Sequence, residues 1–594
     1  MGTSMTVRSR SLPSVHVVRV LPDVTGLDKQ FDYAVPEQLR DSVAVGSIVR
    51  APLHGRRVRG WVTEVNPDTQ IDQQRLQPIA RLSSIGPDPD LVDLARWASL
   101  RWAAGRLRPF LVAASPPVNV TTLPEAGRTP VTAPTSTVGQ HASALLGDGG
   151  GVLLLPPATS PVDAIVAAAS AGPALVVMPT VVRAEAMAMA LRRRGLAVAV
   201  VPRQWAAAAA GVDVVIGARA AAWAPCPAVR VGVVIDEHDE TLQEERVPTW
   251  HARDVLVERS RRAGATVVAT SPCPDVTGLA AIGGRLARLP VDDERAGWPI
   301  VDVADRSGEE PWKRSLLTSA LITELRRSDS RVVCVQNTTG RARILACRTC
   351  RALLRCTRCD AAVGLADDPS TLLCRRCGAR RPAVCQVCGA SGFANLRPGV
   401  TRLREELEAA AGRQVAAVTG AIDDPPPSAD IYIGTEAVLH RVDRADVVAF
   451  LDFDREMLAP RYRANEQAIA LLTKAARLLG PRSRGGRLLI QTFVPRHDVI
   501  QAALLADPGR LIEPERARRE QFGLPPARAL ASVTGPGSGA VIDHLHSVPG
   551  ISVGGAVDDY LVTAATWNEL GAALIEAPRP KGSRVRVAVD PPRA

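Results

Sequence analysis

The sequence predicts a multidomain α/β protein, on three observations. The front of the chain alternates apolar and polar residues in short runs, two long stretches alternate apolar strands with helices, and a dense cysteine block interrupts the second stretch. At 594 residues the chain is too long for a single core and should divide into several domains of ordinary size. From residue 14 to 64, VHVVRVLPDV, FDYAVP and VGSIVRAPLHGRRVRGWVTEV carry strand alternation bounded by turn signals, a small β-rich unit. DLVDLARWASLRWAAG, 90 to 105, has helical apolar spacing, and the Pro- and Thr-rich segment 118 to 139 reads as a linker.

From 146 to about 290 the strands GVLLLP, ALVVMP, LAVAVVP, VDVVIGA, VRVGVVIDE and ATVVATS alternate with helices such as RAEAMAMALRRRG. Continuous apolar strands joined by helices imply a doubly wound sheet buried on both faces. A second set follows in SRVVCVQ, VAAVTG, ADIYIGT, ADVVAFLDFD and GRLLIQTFVP, and the tail from 510 to 594 reads as a small α+β unit.

Eight of the eleven cysteines fall into four C-x-x-C pairs, 347/350, 356/359, 374/377 and 385/388. Each pair is a tight turn that aims two thiolates at one ion, and four thiolates at about 2.3 Å close a structural Zn²⁺ shell. A disulfide framework would need an oxidising compartment, which no targeting signal indicates. The 14 residues between Cys359 and Cys374 suit a hairpin. That nests a site of Cys356, Cys359, Cys374 and Cys377 inside one of Cys347, Cys350, Cys385 and Cys388, giving two zinc ions per chain. Cys226, Cys273 and Cys334 lie in or beside apolar segments, as small core residues do.

Net charge is +11, and lysine occurs only at 29, 313, 474 and 581, so arginine supplies almost all the positive charge. A basic excess of this size favours a polyanionic partner, most simply nucleic acid. No run of about 18 apolar residues is free of charge or proline, so no membrane partner is expected. The expected compartment is the cytoplasm, in association with the nucleoid.

Several elements in shared order resemble the PriA family of replication-restart DNA helicases: the cysteine block; FDYAVP with PLHGRRVRGWV; VVIGARAAAWAP; IDEHDETLQEERVPTWHARDV; and RREQFGLPP. The resemblance implies two tandem RecA-like helicase lobes with an inserted zinc module, a β-rich DNA-binding domain in front and a small α+β domain behind. The implied division is 14–115 for the 3′-DNA-end-binding domain, 116–145 for a linker too short for the family's winged helix, 146–300 for the first lobe, 301–346 with 391–509 for the second, 347–390 for the zinc module and 510–594 for the C-terminal domain. It also implies that Asp32 reads the terminal base of a 3′ end, that Phe31 and Tyr33 shape the pocket, and that Gly55, Arg56 and Arg57 form a basic turn beside it. Read without the family, Phe31 and Tyr33 are strand core and Asp32 a turn residue.

An ATP-driven motor needs glycines exposing backbone N–H groups, a lysine on the phosphates and a hydroxyl on Mg²⁺. The slot for that cradle is LLLPPATSPVDAIV, 153 to 166, where Pro156, Pro157 and Pro161 lack an N–H and Val162 stands about where lysine belongs. None of the four lysines opens a helix from a glycine-rich loop. In the second lobe the family's glycine-spaced arginine motif becomes LTKAARLLGPRSRGGR, which keeps Arg477, Arg482 and Arg484 as charges without the spacing that aims them, and NTTGR at 337 to 341 replaces NRRGY. Asp236 and Glu237, at the end of the strand VGVVI, match the family's metal-holding pair but are expected to be vestigial, contacting a neighbouring helix start or Arg253. No nucleotide-binding element is intact, which leaves ATP and Mg²⁺ without a site.

The expected function is recognition of stalled forks and of single-stranded/duplex junctions, with assembly of the primosome and of the proteins that reload the replicative helicase, without unwinding DNA. The rivals are an active ATP-dependent 3′-to-5′ helicase and a zinc-bearing interaction protein without fork specificity.

Overall fold

Apolar alternation at the front of the chain produces five antiparallel strands, β1 (Val17–Pro22), β2 (Phe31–Ala34), β3 (Ile48–Leu53), β4 (Arg56–Val65) and β5 (Arg81–Ser84), in the order β2-β1-β4-β3-β5. The computed structural model describes residues 16–72, 75–308, 316–336, 345–350, 352–366, 368–374, 376–395, 400–418, 428–556, 558–580 and 582–593. The NTTGR element at 337–341 lies outside them, as do Lys313 and Lys581. The chain divides into two units, one drawn from 1–132, 168–233 and 241–266, the other from 133–167, 234–240 and 267–594.

In the first unit the β3–β4 hairpin turns through His54 and Gly55, both at positive φ (48° and 76°). That geometry matches the right-handed twist of the flanking strands. Two short helices follow, Pro89–Arg101 and Arg108–Ala114. They join the front sheet to the strands Ala174–Val177, Val214–Gly217 and Val198–Val200, which lie parallel. Three buried polar contacts hold this junction: the Trp61 indole N–H donates to Ser115 Oγ (2.8 Å), that of Trp205 to the Ala114 carbonyl (2.9 Å), and Arg101 pairs with Asp254 at 3.1 Å. Around them Phe110 and Trp223 pack with ring centroids 5.4 Å apart.

The expected linker differs from the sequence reading in both halves. Thr129 donates its backbone N–H and its hydroxyl to the two Asp213 carboxylate oxygens (2.9 and 2.6 Å), so this extended segment is fastened to the lobe. The second half is helical: Ser136 accepts from Gly139 N and caps the helix Thr137–Gly147, which buries Ala142 and Leu145 against Leu153 and Val268.

The second unit contains the strands Leu286–Arg288, Gly151–Leu154 and Thr266–Ser271 in parallel, then a complete six-stranded parallel sheet. Its order is Ile300–Asp305, Arg487–Thr492, Val447–Phe450, Val332–Val335, Ile431–Gly434 and Val415–Val418. The edge strand Ile300–Asp305 is one that sequence alternation alone did not reveal. After Val332–Val335 the chain enters the cysteine module, bracketed by the antiparallel pair Leu345–Cys347 and Phe393–Asn395. The C-terminal domain is a four-stranded antiparallel sheet with helices Ser538–His546 and Trp567–Glu576, the latter opened by a Thr566/Glu569 capping box. The architecture is the predicted multidomain α/β class. Among the described residues no helix is long and apolar enough to cross a membrane.

RREQFGLPP supplies the most deeply buried ion network. Arg519, 1% exposed, reaches Glu515 at 2.9 Å and Glu466 at 2.5 Å, and donates to Thr277 Oγ1 and the Pro525 carbonyl, both at 3.2 Å. Its loss leaves Glu466 buried without the cation it pairs with and Glu515 with Arg518 alone (2.7 Å), and breaking such a pair from one side costs about 3–5 kcal/mol. Arg519→Leu is therefore expected to lower the chemical denaturation midpoint markedly, whereas Arg516→Leu, in the exposed Glu513 pair, should leave it within about 0.5 kcal/mol of the parent.

Candidate functional site

The strand pleat decides how the FDY element is presented. Successive residues of β2 point to opposite faces. Tyr33 is buried in the front core with Phe31 packed beside it, and the Tyr33 hydroxyl donates to the Pro52 carbonyl (2.9 Å), whose register partner is Arg57. Asp32 faces the other way, directly across from Arg19 on β1, which in turn sits across from Glu64 on β4. Arg19 holds Asp32 through two bonds, Nε to Oδ1 at 2.8 Å and a terminal nitrogen to Oδ2 at 3.1 Å, and holds Glu64 at 2.8 Å. Burial pushes the Asp32 carboxyl up, but hydrogen bonds from Arg19 and Thr69 outweigh it and leave the group below the usual carboxylate range. Phe31 and Tyr33 thus do not share a face with Asp32. They act from beneath, fixing the backbone that presents it. Gly55, Arg56 and Arg57 stand exposed at the tip and base of the β3–β4 hairpin.

The eight module cysteines gather into two groups of four, Cys347, Cys350, Cys385, Cys388 and Cys356, Cys359, Cys374, Cys377, each with its sulfurs within 4.8 Å of one another. The nearest pairs are Cys347–Cys388 (3.5 Å), Cys350–Cys385 (3.4 Å), Cys356–Cys377 (3.5 Å) and Cys359–Cys374 (3.5 Å). Four sulfurs at about 2.3 Å from one ion would lie about 3.8 Å apart, so each cluster fits a tetrahedral metal with little movement. The Cys359 thiol donates to Cys374 and holds it down at about 5, against burial. Arg376 is committed to structure here, donating to the carbonyls of Cys359 (3.4 Å) and Tyr462 (3.1 Å).

In the segment where a phosphate cradle would lie, backbone donors are spent locally. The N–H of Ala158 donates to Gly297 O (3.1 Å) and that of Thr159 to Pro156 O (3.0 Å). Asp236 is buried, at φ 55°, and is ion-paired with Arg477, whose Nε donates to the Pro157 carbonyl (3.3 Å). Glu237, fully buried, accepts from the backbone N–H of Asp275 (3.0 Å), the residue that caps the helix Val276–Ala281. That is the expected helix start; Arg253 pairs with Asp254 (3.0 Å). His238 contacts Ser271 Oγ at 2.8 Å and is held neutral, at about 4, chiefly by burial.

The sequence reading placed Arg477 among arginines that had lost their aim, and the structure corrects this: Arg477 is aimed at Asp236, while Arg482 and Arg484 are exposed on a short turn. A signal was present. Glu466, Thr473 and Arg477 fall at i, i+7 and i+11 of the helix Ala464–Leu479, on one stripe of that helix. Thr473 on that stripe touches Cys273 Sγ at 3.8 Å.

A family model described as the PriA 3′ DNA-binding domain matches residues 19–109. The chain is 29% identical over 585 residues to a probable replication restart protein PriA of Mycobacterium tuberculosis, covering 86% of this chain and 85% of that one. It is 26% identical over 347 residues to the replication restart protein PriA of Bacillus subtilis, covering 54% of this chain and 43% of the relative. The chain is thus similar to PriA replication restart proteins along most of its length. The front domain is similar to a 3′ DNA-binding domain, and that match includes β2 and the β3–β4 hairpin. The two four-cysteine clusters of the module can each hold a metal ion.

Metal analysis of the purified protein is expected to return two ions per chain. Cys359→Ser, which removes one ligand of the inner cluster, should lower that to one and leave the outer cluster loaded. Retention of both ions by Cys359→Ser would contradict the assignment of ligands.

Proposed function

We propose that this chain recognises stalled or abandoned replication forks through a DNA 3′ end held in its front domain, and promotes primosome assembly and replicative helicase reloading without hydrolysing ATP. Asp32 accepts from a donor on the terminal base. Arg56 and Arg57, exposed beside Gly55, meet the adjoining phosphates, so affinity falls steeply with salt. The two clusters hold Zn²⁺, which supplies a closed structural shell with no position for substrate. The module they brace, together with the two lobes, forms a scaffold from which partner proteins are engaged.

The observation that carries the absence of turnover is the Arg477–Asp236 ion pair. A carboxylate that is to hold Mg²⁺ must offer its oxygens to the metal; here a guanidinium from the second lobe occupies Oδ1 of Asp236. The adjoining loop spends two of its donors on carbonyls, and Val162 provides no cation for phosphate. Loss of cradle, metal oxygens and lysine together removes most of what stabilises a phosphoryl-transfer transition state.

Purified protein is expected to release phosphate from ATP at background rate with or without fork DNA, with no change in Asp236→Asn. Fork affinity should be the same with and without Mg-ATP. DNA-stimulated turnover that disappears in Asp236→Asn would establish the helicase reading instead. Equal affinity for forks with free and blocked 3′ ends would favour a zinc-bearing interaction protein without fork specificity.

A further inference from the structure

Asp32 enters the front domain already engaged. An ionised carboxylate offers about four acceptor positions. Arg19 occupies one on each oxygen, at 2.8 and 3.1 Å, and Thr69 supplies a further hydrogen bond. About one position then remains, on a side chain that is only 10% exposed. Arg19 is itself fixed on its far side by Glu64 at 2.8 Å, and the terminal nitrogen that meets Asp32 also donates to the Asp68 carbonyl at 3.3 Å. The cross-strand register sets the whole ladder, with Asp32 opposite Arg19 and Arg19 opposite Glu64.

We propose that Arg19 is the positioning residue of the 3′-end site, clamping Asp32 in one plane so that a single oxygen edge faces the terminal base. The inference rests on the reading of Asp32 as the base-contacting residue. A planar guanidinium fixes both oxygens at once, whereas an ammonium is a point charge that cannot. Arg19 therefore contributes orientation as well as charge. The groups around Asp32 are Arg19 from β1, Glu64 beyond it on β4, and Thr69 with the Asp68 carbonyl from the loop that follows; Lys29, preceding β2, lies over the Phe31 ring at 5.5 Å.

The test compares the affinity of the full chain for a fork bearing a free 3′-OH with that for the same fork blocked by a 3′-phosphate, from about pH 7 to pH 4. In the parent the preference for the free end should persist to about pH 4, because a carboxyl held below the ordinary aspartate value of about 3.9 stays ionised there. Arg19→Leu should lose about tenfold of that preference at neutral pH. Its residual preference should also vanish at higher pH than in the parent, since burial without a cation raises the carboxyl. Arg19→Lys keeps the charge and should still lose most of the preference. Glu64→Gln, which loosens the clamp from behind, should lose less. If Arg19→Leu fails to fold, Arg19→Lys and Glu64→Gln carry the test. Parental preference and pH profile in the Arg19 variants, with the preference abolished in Asp32→Ala, would overturn the role of Arg19 and leave the reading of Asp32 standing. Parental preference in Asp32→Ala would overturn both.

Discussion

The ion pair between Arg477 and Asp236 is the contact on which the reading of both lobes depends. A carboxylate as deeply buried as Asp236 must be neutralised, either by a bound cation or by one the chain carries. Burial disfavours the Arg477 charge, yet the neighbouring Asp236 more than restores it and holds the guanidinium above its ordinary value. A covalently supplied cation is present at every moment, whereas a metal comes and goes with its nucleotide. Once the charge is satisfied in this way, Glu237 can serve as a helix cap and His238 can stay neutral.

Arginine performs the same office throughout this lysine-poor chain. In the front domain Arg19 sits between Asp32 and Glu64, and at the centre of the second unit Arg519 sits between Glu515 and Glu466. Arg463 reaches Asp590 at 2.8 Å and the Tyr462 hydroxyl at 2.7 Å. Each site needs several donors in a fixed plane, which one guanidinium supplies and an ammonium does not. These buried arginines are matched by carboxylates and leave the net positive charge intact, and exposed arginines such as Arg56 and Arg57 are what a phosphate backbone can meet.

How far the sequence could be read follows from the range of each signal. The cysteine clusters were legible because C-x-x-C fixes two ligands locally and the intervening hairpin sets their pairing. The parallel strands were legible as apolar runs. The edge strand Ile300–Asp305 was not, since its Asp302 faces Arg487 (2.9 Å) and breaks the apolar pattern. The helix Thr137–Gly147 was hidden behind a Pro- and Thr-rich approach and carries a glycine in its first turn. In the front domain the motif FDY identified the residues but not their faces; only the register of β2 against β1 separates Asp32 from Phe31 and Tyr33. The partner of Asp236 lies 241 residues away, beyond the reach of any local pattern.

The cysteine module is joined to that distant pair by consecutive contacts within the second unit. Arg376 ties the Cys359 carbonyl to the Tyr462 carbonyl, and the Ala362 N–H donates to Leu458 O at 2.8 Å. Tyr462 immediately precedes Arg463, the buried partner of Asp590, and the helix Ala464–Leu479 begins at the next residue. That helix presents Glu466 to Arg519 near its start and Arg477 to Asp236 near its end. A 16-residue helix is about 24 Å long, so one rigid element spans the distance from the module's anchor to Asp236. Charges fixed at both ends of a single helix leave it little freedom to shift.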